Sequence, residues 1–111
     1  MAAIANLRID QGASFSSDVT VTNSAGTVVD LTGYTTEAKM AKSFGASSSV
    51  TITSALASDP TTGVVELTLT DTQTAALDAP ARYVYDVYIT QTSTSTVTRV
   101  IEGVITVNPK V

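Results

Sequence analysis

Cysteine, histidine and tryptophan are absent from this chain of 111 residues. Without cysteine there is no disulfide, no thiolate nucleophile and no zinc-thiolate site, and without histidine the usual triads and dyads lose their base. A cysteine-free chain suits folding in a reducing cytoplasm. Charge is also scarce, at 14% of residues, with six Lys and Arg against ten Asp and Glu and a net charge of -4. The cations Arg8, Lys39, Lys42, Arg82, Arg99 and Lys110 are scattered, so no basic stripe exists to neutralise phosphates and nucleic acid is not an expected partner. No apolar run approaches the roughly 20 residues of a membrane span, so no membrane partner is expected. The first seven residues have neither a cationic start nor a long apolar run and do not read as a signal peptide. Met1 reads as the true start of a free-standing protein. There is no internal repeat and no glycine-rich phosphate loop, so no cofactor is expected.

Hydrophobic residues make up 43% of the chain, which together with the low charge argues against disorder. The length fits a single domain over residues 1–111, large enough to bury a core without staples. Few charges also leave spare surface for a partner.

Two long runs at the end, 82–90 and 96–107, are rich in β-branched and aromatic residues and are separated by the polar stretch 91–95. They predict a hairpin. Period-two alternation predicts further strands over 7–9, 14–22, 34–42, 50–53 and 65–69, with a short strand or extended link over 28–31. In the cleanest of these, Val65, Leu67 and Leu69 point inward. Asn23 with Gly26, Thr32-Gly33, the loop 43–49 and the cluster 55–63 around Asp59-Pro60 supply the turns. Thr70 and Gln73 have capping-box spacing, which predicts one short helical turn over 70–77, stopped by Asp78 and Pro80 and packed by Leu77 on an open end of the sheet. The fold class is therefore all-β, an immunoglobulin-like antiparallel β-sandwich of about seven strands. The stretch before Tyr83 is similar to a tyrosine corner, although Asp78 lies five residues upstream and no Cys–Trp–Cys set accompanies it.

Two registers compete for the terminal hairpin. One sets Tyr83 opposite Gly103, so that a ring covers a position without a side chain. The other sets Asp86 opposite Arg99 and is preferred, because an arginine facing a core is costly. A bulge would reconcile them. In either register one face carries Tyr83, Tyr85, Val87 and Ile89, and the other carries Val84 and Tyr88 with Val100 and Val104 from the second strand. A strand with one wet face needs a single apolar set, so Val84, Tyr88, Val100 and Val104 are the candidate interface.

The ten carboxylates stand mostly singly near turns or on polar faces, where solvation or capping explains them. Calcium at Asp59 or Asp78 lacks a D-x-D-x-D cluster, so no metal ligand is assigned. Gly103, inside a strand, implies a bulge or a close backbone approach. The tyrosines could stack on sugars, but their strand spacing favours packing. No catalytic residue is assigned and the chain is not expected to be an enzyme.

Four segments share a wider pattern: Ile9-Asp10-Gln11-Gly12-Ala13-Ser14-Phe15, Asp30-Leu31-Thr32-Gly33-Tyr34, Leu77 through Arg82-Tyr83-Val84-Tyr85-Asp86, and Arg99-Val100-Ile101-Glu102-Gly103. In order and spacing they resemble the small immunoglobulin-like β-sandwich structural proteins of tailed bacteriophages. The resemblance implies a virion component linked with tail or baseplate, made in the host cytoplasm, whose partners are other virion proteins and copies of itself. It brings no catalytic residues and no small-molecule substrate. A capsid decoration protein is the alternative within this class. A carbohydrate-binding adhesion module is the alternative outside it, though such a module should carry its aromatics in loops rather than strands.

Overall fold

A computed structural model of the protein describes residues 3–23, 25–43, 45 and 49–110. Ser24 of the first turn and most of the expected 43–49 loop lie outside the described residues. The strands are β1 (Ala3–Ile4), β2 (Leu7–Asp10), β3 (Phe15–Thr20), β4 (Tyr34–Ala41), β5 (Val50–Leu56), β6 (Val64–Leu69), β7 (Ala81–Gln91) and β8 (Thr96–Asn108). The chain is all-β and sandwich-like. One layer is β8–β7–β4 and the other is β3–β6–β5, and β5 joins them by pairing first with β4 and then with β6. Those two sets of neighbours are the strand order of immunoglobulin-like domains. All of these pairs are antiparallel. The departure from the expected antiparallel pattern is the first strand, whose halves β1 and β2 both run parallel to β8.

Alternation explains the core. Phe15 and Val19, Ala38 and Met40, Val65, Leu67 and Leu69, and Tyr83, Tyr85, Val87 and Ile89 are all buried, while Asp18, Lys39 and Glu66 between them are exposed. Period-two side chains on two twisted layers meet at the middle and exclude water.

The helical turn is α1 (Asp71–Ala75), with Thr70 and Gln73 forming the full capping box. It closes one end of the sandwich. The Thr74 hydroxyl donates to Ala13 O and accepts from the Gly12 N–H, while Gln11 Nε2 donates to Leu77 O. The tyrosine corner is present: Tyr83 OH accepts from the Asp78 N–H at 3.0 Å, across the five-residue gap.

Residues 28–31 take the second of the two expected forms, an extended link with a bridge between Thr22 and Val28, held because Val29 and Leu31 donate to Val21 O and Pro60 O. Pro60 belongs to a 3-10 turn, Pro60–Thr62, which ends at Gly63 with φ 73°. A Cβ at Gly63 would come within 2.9 Å of Val29 O, so the position requires glycine on both counts. β5 runs on to Leu56, beyond the expected 50–53, because its second half gains a new partner in β6.

The hairpin adopts neither expected register. Tyr85 lies opposite Gly103 and Tyr83 opposite Ile105; a bulge follows Val87, and Tyr88 lies opposite Arg99. An aromatic ring does cover the glycine, but it belongs to Tyr85. The reason is the first strand. Between β1 and β2 the chain crosses over Gly103, where any Cβ would overlap the Ala5 carbonyl. Tyr85 OH donates to that same Ala5 O at 2.6 Å, and Ala5 N–H donates to Glu102 O at 2.9 Å.

Leu67 is fully buried and Glu66 exposed. Leu67→Ala should cost about 2–5 kcal/mol in urea unfolding, and Glu66→Ala little. Equal losses would refute the face assignment. Burial pushes the Tyr85 hydroxyl pKa up to about 12. A raised folded pKa holds its stabilisation intact below pH of about 10 and loses it as pH rises through 12. Tyr85→Phe should therefore cost about 1 kcal/mol at neutral pH and flatten the fall in melting temperature above pH 10. An unchanged alkaline profile would place the titration elsewhere.

Candidate functional site

The inner face of β8–β7–β4 is used up by the core, so the outer face is what remains for recognition. Register sets its rows. Ala41, Val84 and Val104 form one row, and Lys39, Asp86 and Glu102 the next. Glu37, Tyr88 and Arg99 follow, then Thr35, Thr90 and Val97. β1 places Ile4 alongside Glu102 at the edge. The face is thus apolar at one end, charged in the middle and partly apolar again beyond.

Of the four residues expected to make an interface, Val84 and Val104 are directly paired, and Tyr88 lies two rows away on the same face; all three are half-buried. Val100 does not join them. It is the extra residue of the bulge and packs its half-buried side chain against the core. Sequence alone did not include Ile4 and Val97, which are 73% and 60% exposed. The signal for Val97 was its place in a strand of alternating threonines, and that for Ile4 its isolation in a small-residue stretch.

The bulge also determines the electrostatics. Residues three apart on a regular strand face opposite sides. The inserted residue reverses that parity, so Arg99 and Glu102 both face outward and form an ion pair. Asp86 faces Glu102, not Arg99 as expected, although the Arg99 charge still acts on it. Burial raises the Asp86 carboxyl above its ordinary value; Glu37 and Glu102 add to the rise, and Arg99 and Lys39 oppose it.

Beside the charged row, Ile4, Asn6, Val84, Glu102, Gly103 and Val104 line a shallow recess of about 200 Å3. Elsewhere two carboxylates serve a turn and a pair. Asp59 Oδ1 accepts from the Thr61 hydroxyl at 2.6 Å, and Asp78 pairs with Lys42 Nζ at 2.9 Å. Among the described residues no three Asp or Glu converge as a metal site. Apolar residues at one end, an outward tyrosine and an arginine on one sheet face are the residue types that protein interfaces favour.

No protein-family model matches the chain, and no curated protein matches it significantly.

The ionised form of Asp86 is disfavoured in the fold, so its contribution is fully present below the ordinary carboxyl pKa and is lost as pH rises through the raised one. Asp86→Asn should therefore raise the melting temperature at pH 7, with the gain shrinking toward pH 3. A fall at pH 7 would show that attraction to Arg99 and Lys39 outweighs burial.

Proposed function

We propose that the chain is a non-enzymatic structural component of a tailed-bacteriophage virion, associated with tail or baseplate, that works by protein–protein assembly. The observation that carries this reading is the outer face of β8–β7–β4. Val84 and Val104 pair there beside exposed Ile4, on a sheet whose other face already supplies the core. That second apolar set adds less to the domain's own stability than the core face does, and covering it with a neighbour would remove apolar area from water. The four segments similar to phage sandwich proteins supply the class of neighbour, namely other virion proteins or further copies. The scarcity of charge is compatible with a part that spends its working life covered.

The test is location and incorporation. A reconstruction of the particle that encodes the chain should place it at the tail or baseplate, with Val84, Tyr88 and Val104 against a neighbour. Val104→Asp and Tyr88→Asp should lower its copy number in purified particles severalfold while the isolated protein keeps its melting temperature within a few degrees. A capsid location would instead favour a decoration protein. Absence from the particle, or contacts made only through loops, would overturn the assembly reading.

A further inference from the structure

The free edge of the second layer carries an inference that does not depend on the virion reading. β3 pairs with β6 on one side only, from Phe15 opposite Leu69 to Thr20 opposite Val64. The ladder continues to Val21, whose N–H donates to the opposing Gly63 O at 2.7 Å. That bond marks Val21 and Gly63 as a hydrogen-bonded pair. Antiparallel pairs alternate, so Phe15, Ser17 and Val19 also direct their backbone groups to β6, and Ser16, Asp18 and Thr20 direct theirs outward. The chain after Val21 does not cover them, because Val28 and Val29 return on the Gly63 side. Among the described residues nothing bonds to these three N–H and three C=O groups.

Natural edges are usually blunted by proline, lysine, a bulge or a covering segment. β3 has none of the first three, and its only charge is Asp18. Asp18 lies directly opposite Glu66, both exposed, in a non-hydrogen-bonded pair where side chains come closest. Like charges at such a position are unfavourable. Beyond Glu66 the next residue in the row is Ala55, and neither carboxylate has a salt-bridge partner among the described residues. A strand added outside β3 would put a residue opposite Asp18, and a cation there would offset both acids.

We infer that the β3 edge accepts an extended segment of another protein, antiparallel to β3, with a lysine or arginine opposite Asp18 and β-branched residues on either side of it. The flanking positions lie opposite Ser17 and Val19, at the rim of the core, which suits valine. A second copy of this chain fits poorly. The antiparallel register that pairs all three open residues sets Asp18 against its own counterpart, with a Glu66 on each side, so four carboxylates stand in a row.

The test uses the full-length protein and a synthetic peptide, Thr-Thr-Val-Lys-Val-Thr-Thr, with a second peptide carrying glutamate in place of lysine. Amide exchange is followed by NMR. In the free protein the Ser16, Asp18 and Thr20 amides should exchange quickly, while those of Ser17 and Val19 are protected. The lysine peptide should slow those three amides and bind about tenfold more tightly than the glutamate peptide. Asp18→Lys, an exposed change that leaves the ladder intact, should reverse the preference. No protection at the three amides with millimolar lysine peptide would overturn the inference. So would equal binding of both peptides, or a free protein that dimerises through β3.

Discussion

The passage of the first strand over Gly103 constrains most of this fold. The Ala5 carbonyl fills the space that a side chain at position 103 would need, and the buried Tyr85 hydroxyl holds it there. Asn6 Oδ1 then accepts from the Val104 N–H at 3.1 Å, so the break between β1 and β2 leaves little of the β8 edge unsatisfied. With the strand committed to β8 on both sides of the break, β2 and β3 meet only near their connecting turn. Among the described residues the second layer therefore ends at β3 with no strand paired beyond it. An edge on one layer is closed by the same route that opens the edge on the other.

Turn chemistry sets the remaining geometry with one device used twice. Asp30 Oδ1 accepts from the Thr32 N–H and hydroxyl, and Asp59 Oδ1 accepts from the Thr61 N–H and hydroxyl. Each spacing is Asp-x-Thr, and the Thr32 bonds hold the Asp30 carboxyl below its ordinary value. The two turns are joined, since Leu31 N–H donates to Pro60 O at 2.9 Å. A carboxylate that looks idle in the sequence thus pins a loop, and Leu31 is fully buried as a result.

What the sequence made legible follows from how far each signal reaches. Alternation is local, so the inward set on β6 and the two faces of β7 could be read directly, as could the capping box at Thr70. Register is not local. The two registers considered were weighed on a ring over Gly103, on Asp86 with Arg99, an exposed pair contributing roughly 0.2–1 kcal/mol, and on the larger cost of turning Arg99 toward the core. The deciding contact was with Ala5, almost a hundred residues away and in a stretch with no strand signal. Val100 was misplaced for a related reason: parity counted along β8 holds only until the bulge, and no residue type announces it. β5 was cut short because its inward face, Val50, Ile52, Ser54 and Leu56, carries a serine at the third position, which breaks the apolar alternation in the sequence although the strand runs on.

The bulge links the candidate interface to the asymmetry of the two edges. By turning Arg99 and Glu102 to the same side, it builds the charged row of the outer face. It also disturbs β8 just where β1 stops covering it, since pairing with β1 ends at Ile101. Among the described residues nothing pairs with this edge of β8 beyond that point, and the bulge at Val100 makes this stretch a poorer template for another strand. β3 is shorter but unbroken, and its one charge repels a copy of itself while leaving room for a cation. Two exposed edges of one sandwich therefore differ in kind. One is interrupted by a bulge, and the other is unbroken and selective by charge.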